Sequence, residues 1–214
     1  MDYKSIVAQI KVKYTKEQLN YYDKIIELDS IKLASMGHND TEGYQIFTPK
    51  FIVRDMCAAI GDDIFDFSKT VLEPTSGDGA FTVYLLNKRL EKALKGGNFE
   101  LDSLRALSTI YSIEMDKELI IEQRNNIYTL FKQFTNEHKI SLTDDYFDLV
   151  KCIILSNFMW AMFNSDKPIS VGLFGVEVIY KMPEAEKGDY KSLDIPVWVI
   201  SNNEISMHEE EVDL

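Results

Sequence analysis

The run Val71-Leu72-Glu73-Pro74-Thr75-Ser76-Gly77-Asp78-Gly79-Ala80-Phe81 constrains this chain more than any other stretch. Val71 and Leu72 predict the end of a buried strand, and Glu73 the point where that strand meets water. Pro74 carries no N–H and stops further ladder pairing. Gly77 and Gly79 lack a Cβ, so the backbone can turn sharply there and come close to a ligand. From Ala80 onward, Phe81, Val83, Leu85, Leu86, Leu90 and Leu94 recur at a helical period. A strand, a glycine turn and a helix N-terminus in this order predict a nucleotide-type pocket, with backbone N–H groups turned toward the ligand.

The details of the turn narrow the ligand. A phosphate loop ends in Lys followed by Ser or Thr, whereas Gly79 is followed by Ala80 and Phe81. A dinucleotide fingerprint needs a third glycine, and residue 82 is Thr. Glu73 would repel a phosphate and would suit a cation, such as the amino group of a methionine-derived cofactor. Leu72 to Phe81 resembles the S-adenosylmethionine motif of the N6-adenine DNA methyltransferases, whose form is Asp/Glu-Pro-x-x-Gly-x-Gly followed by an apolar residue. Upstream, Phe47-Thr48-Pro49 matches a Phe-Thr-Pro segment that in this family closes over the methionine end of the cofactor. Read locally, the same residues are a Thr cap and a helix-starting Pro.

The resemblance implies a doubly wound, Rossmann-like α/β methyltransferase fold with S-adenosylmethionine as cofactor. It implies cofactor contacts from Phe47, Thr48, Pro49, Glu73, Pro74, Gly77, Gly79 and Phe81. Ser108 to Asp116 is β-rich and ends in acids, as the second strand of such a sheet should. A carboxylate at the end of that strand accepts the ribose hydroxyls. Glu114 is the candidate, with Asp116 a turn or cap residue.

The remaining segments fit around this core. Residues 1–43 read as an N-terminal helical arm, with Thr15 and Gln18 forming a capping box. Gly37 to Gly43 is a polar loop, and a helix over 50–60 presents Phe51, Val53, Met56, Cys57 and Ile60 on one apolar face. The methyltransferase-like domain spans 44–202. Within it, Leu101 to Leu107 reads as a short helix and Glu118 to Phe134 as an amphipathic one. Asp144 to Asp148 reads as an acidic turn before an apolar stretch, Leu149 to Phe163. Ile169 to Tyr180 and Ile195 to Ile200 read as two further strands, separated by the charged loop Glu184 to Asp189. Residues 203–214 read as a solvated acidic tail.

The family's chemistry depends on Asn/Asp/Ser-Pro-Pro-Tyr/Phe, which holds the flipped adenine. This chain has five prolines, at positions 49, 74, 168, 183 and 196, and no Pro-Pro pair. The nearest stretch is Ile154 to Trp160, in which Asn157 is the candidate catalytic residue although Phe158 and Met159 replace the prolines. A net charge of −12 also disfavours unaided DNA binding, because phosphate contacts supply most non-specific affinity. DNA would then be a partner only through another chain or a local basic face.

The sequence therefore predicts a cofactor-binding relative of restriction–modification methylases that does not methylate DNA alone. The alternatives are an active methyltransferase using Asn157 and a non-enzymatic acidic regulator of a restriction system. Cys57 and Cys152 lie in apolar surroundings and the three histidines are scattered, which predicts reduced thiols, a cytoplasmic setting and no metal site. No apolar run reaches membrane-spanning length.

Overall fold

The computed structural model describes residues 1–33, 47–160, 172–173, 176–177 and 192–213. The expected polar loop Gly37 to Gly43, the charged loop Glu184 to Asp189 and most of the strand expected over Ile169 to Tyr180 lie outside them. The fold is mixed α/β, built on a three-stranded parallel sheet. Its strands are β1 (Val71–Glu73), β2 (Ile110–Glu114) and β3 (Phe158–Trp160), in the order β1-β2-β3. Leu72 is in register with Tyr111, and Ile113 with Met159. All three strands run the same way, so Glu73, Glu114 and Trp160 finish at one end of the sheet.

The helices follow from apolar periodicity and caps. α1 (Tyr3–Lys11) buries Tyr3, Val7 and Ile10, and α2 (Lys16–Asp23) starts at the Thr15–Gln18 capping box. α3 (Lys50–Ile60) begins one residue after Pro49, which is itself the N-cap and makes no side-chain capping bond. Only Val53 and Cys57, one turn apart, face inward on α3. Phe51, Met56 and Ile60 of the expected apolar face are about half exposed or more, at 53%, 50% and 64%. A helix buries a stripe only where something packs on it, and the Val53–Cys57 stripe takes that place here.

α4 (Ala80–Gly96) and α5 (Phe99–Ser108) are separated by Gly97, whose φ of 88° ends α4, and Asn98 caps α5. α6 (Lys117–Glu137) is the longest helix of the described residues and starts at an Asp116 cap. The segment expected as an acidic turn opens α7 (Asp144–Asn157) instead, with Asp144 and Asp145 in its first turn and Thr143 as the cap. Carboxylates are favoured at that helix end by the axial dipole. No helix among the described residues is long and apolar enough to cross a membrane.

Two features depart from a doubly wound sheet. No strand joins the outer edge of β1 among the described residues, so the strand order does not reverse there. The later strands pair with one another instead. β4 (Gly172–Leu173) and β5 (Val176–Glu177) form a short antiparallel ladder. β6 (Ser192–Ile200) and β7 (Ile205–Asp213) form a hairpin, so Glu209 and Glu210 are exposed as expected, yet the acidic run belongs to a strand and is no free tail. Ser201 Oγ accepts from Asn203 N and Glu204 N, which closes this turn locally and commits β7 to β6.

Side chains alternate across β2. Ser112 meets α6 on one face, while Tyr111 on the other donates its hydroxyl to Pro196 O at 2.6 Å. The hairpin thus covers the sheet face opposite α6. Arg89, with no exposed surface, joins the segments that lead into β1 and β2: its guanidinium donates to Ile64 O and Lys69 O ahead of β1 and to Thr109 Oγ1 ahead of β2.

Candidate ligand site at the strand ends

The glycine turn leaves β1 and passes over the end of β2. Ser76 N donates to Ile113 O at 3.0 Å, and Gly79 N donates to Ser76 O at 2.9 Å. Gly77 and Gly79 both have positive φ, 55° and 89°. Their surroundings differ. A Cβ on Gly77 would stand 3.9 Å from the Phe47 ring, an ordinary contact. A Cβ on Gly79 would stand 2.6 Å from Gln123 Cγ and 2.9 Å from Thr82 Oγ1. Gly79 is therefore required by the packing of α6, and the close approach expected there is filled by the protein itself. Gly77 is the open glycine, with Phe47 beside it.

Glu114, 8% exposed, closes the turn from the neighbouring strand. One carboxylate oxygen accepts from Gly77 N at 2.7 Å and the other from Asp116 N at 2.8 Å. Glu73, at the end of β1, is different. Burial alone raises its carboxyl above the usual range, because the charged form loses water. Among the described residues it bonds to no donor or cation. It does lie near the buried Cys57 thiol, which burial and the Glu73 charge both push up. Cys152 is likewise pushed up to about 12 by burial, so neither thiol is a ready nucleophile.

Of the other expected contacts, Thr48, Pro49 and Phe81 are partly buried, and Pro74 is exposed. Met115 and Trp160, 62% and 38% exposed, add apolar surface at this end of the sheet. The Trp160 indole is held by a bond from Nε1 to Met115 O at 2.9 Å.

Asn157 stands elsewhere, and its expected catalytic role does not fit that place. It precedes β3, at the opposite end of the sheet from Glu73 and Glu114, and has no exposed surface. Its Nδ2 donates to Ser108 O at 2.8 Å and Ile110 O at 3.2 Å, and its Oδ1 accepts from Ser156 Oγ and Trp198 Nε1. Every polar position of the amide is used in joining α7 to β2 and the hairpin. Ligands of open parallel sheets bind outside the carboxyl ends of the strands, so this location is wrong for chemistry.

Sequence reading missed the residues of α6 that hold the turn. Gln123, with no exposed surface, donates from Nε2 to Thr82 Oγ1 at 2.9 Å and accepts from Ser76 Oγ and Ser112 Oγ. Asn126, one turn on, donates to Asp78 O at 3.1 Å. The signal was present: Ile120, Gln123 and Ile127 follow helical spacing, so Gln123 occupies a position where the period demands an apolar residue.

Comparison with protein-family models, with characterised proteins and with solved structures found no match.

Proposed function

We propose that the turn from Glu73 to Phe81 binds S-adenosylmethionine, in one half of a Rossmann-like methyltransferase fold. The observation that carries this is Glu73: a partly buried carboxylate with a raised pKa and no bonded donor among the described residues, one strand away from Glu114. An unmatched buried acid is costly, and a ligand ammonium would compensate it. In this reading Glu73 faces the methionine amino group and Phe47 covers the open glycine, Gly77. Glu114 retains unused lone pairs for the ribose hydroxyls, and Met115 and Trp160 provide apolar surface for the purine.

The chain is read as related to the modification subunits of restriction–modification systems and as unable to methylate DNA by itself. The missing Pro-Pro motif and the placement of Asn157 support that part. Calorimetry with S-adenosylhomocysteine tests the reading. Wild-type protein is expected to bind, and Glu73→Ala to bind at least tenfold more weakly, about the 1.4 kcal/mol of one charge-assisted bond. No binding by the wild type would end the proposal.

A further inference from the structure

We infer that the N-terminal strap, Ile25 to Leu33, is a working part of this ligand site, with Asn126 as the positioning residue that links the two. The inference rests on the cofactor reading above. The strap has no regular secondary structure of its own. It is fastened to α6 by side chains that take over its backbone bonds. Ile26 N donates to Asn125 Oδ1 at 3.0 Å, and Leu28 N to Thr129 Oγ1 at 2.9 Å. Lys32 N donates to Asn126 Oδ1 at 2.8 Å, and Asn126 Nδ2 donates back to Lys32 O at 2.6 Å. The second hydrogen of Asn126 Nδ2 goes to Asp78 O, between the two glycines of the turn.

Asn126 has no exposed surface, and its bond to Asp78 O is buried, so water does not take the place of that link between strap and turn. Its amide has two donor hydrogens and one acceptor oxygen, and all three are shared between the strap and the turn. A buried amide with full valence has little freedom to satisfy one segment without the other. The charges point the same way. The Glu122 carboxyl is raised by burial and by Asp78 and lowered by Lys32, so the strap's lysine offsets an acid pair beside the turn.

Such a shared residue makes the two segments one equilibrium. A ligand that needs the turn in its bonded shape stabilises the strap, and by reciprocity the strap stabilises the ligand complex. When the competent turn is less populated, apparent affinity falls by that fraction.

The test is backbone amide exchange by NMR with and without S-adenosylhomocysteine, together with calorimetry. Wild-type protein is expected to slow exchange at the Lys32 amide on binding. Asn126→Asp keeps the acceptor for Lys32 N but loses both donated bonds. It should bind about tenfold more weakly, the loss expected for two ordinary hydrogen bonds. Its Lys32 exchange should no longer respond to ligand. If Asn126→Asp fails to fold by circular dichroism, Lys32→Pro, which removes the strap's own N–H, carries the same expectation for affinity. Binding by the wild type with unchanged Lys32 exchange, or variants that bind like wild type, would overturn the strap coupling and leave the cofactor reading standing. No binding by the wild type would overturn both.

Discussion

Replacing each glycine of the turn with alanine separates the two roles assigned to them. Gly79 has a φ of 89°, and a Cβ there would overlap Gln123 Cγ at 2.6 Å and Thr82 Oγ1 at 2.9 Å. Holding a residue with a Cβ at positive φ costs about 1–2 kcal/mol. Forcing extra volume into a packed site adds about 1–3 kcal/mol. Gln123 cannot step aside cheaply, because it also bonds Ser76, Thr82 and Ser112. Gly79→Ala should therefore lose about 2–5 kcal/mol of folding stability. Gly77 has the milder φ of 55° and only ordinary contact with Phe47 at 3.9 Å, so only the backbone cost applies. Stiffening the unfolded chain returns about 0.4–1 kcal/mol in either variant, which moves Gly79→Ala toward the lower part of its range and leaves Gly77→Ala at about 1 kcal/mol or less. Urea unfolding followed by circular dichroism measures both. With a slope of about 2 kcal/mol/M, Gly79→Ala should lower the midpoint by about 1 to 2.5 M and Gly77→Ala by no more than about 0.5 M. Equal shifts for the two variants would refute the assignment of Gly79 to packing.

Three further outcomes follow from the same geometry. Glu73→Gln should stabilise the unliganded protein at neutral pH, because the raised carboxyl is a net cost there. The native state holds that proton more tightly than the unfolded chain, so the cost is absent below the ordinary glutamate range and present once the native group has ionised. Stability of wild type relative to Glu73→Gln, measured by urea unfolding across pH, should accordingly fall as pH rises; a flat difference would remove the unpaired acid from the account. Asn157→Ala should destabilise by about 2–4 kcal/mol, since it strands buried partners on β2 and the hairpin, while S-adenosylhomocysteine affinity per folded molecule stays the same by calorimetry. Gln123→Leu should weaken ligand binding as well as stability, because Ser76 and Thr82 lose the partner that holds the turn; unchanged calorimetric affinity would show that the turn keeps its shape unaided.

What the sequence made legible was local and short-range. The strand–turn–helix at 71–96, the β2 acid and the Thr15 cap depend on neighbours within a few residues, so residue type and spacing carry them. What it hid depends on partners far along the chain. The helical spacing of Phe51, Met56 and Ile60 is real, yet nothing described packs on that stripe, and periodicity says nothing of what covers a face. Asn157 stood in a plausible order after the acid, but order does not say at which end of a strand a residue lies. Asp144 to Asp148 looked like a turn by composition, whereas acids are also what a helix start favours. Gly79 is a case of the right residue for another reason: the glycine was predicted from its turn, and the neighbour that demands it, Gln123, lies 44 residues on (123 − 79).

The C-terminal hairpin has a consequence for how the molecule assembles. Tyr111 closes its hydroxyl bond across 85 residues, and Trp198 reaches Asn157 across 41. Contacts this distant are slow to form, since a long loop must be ordered before they return anything. During synthesis β1, β2 and β3 would emerge with one side bare, and completion would wait for the hairpin to arrive. Until then the half-built sheet would be the stage at which a chaperone, or a neighbouring nascent chain, finds apolar surface to hold.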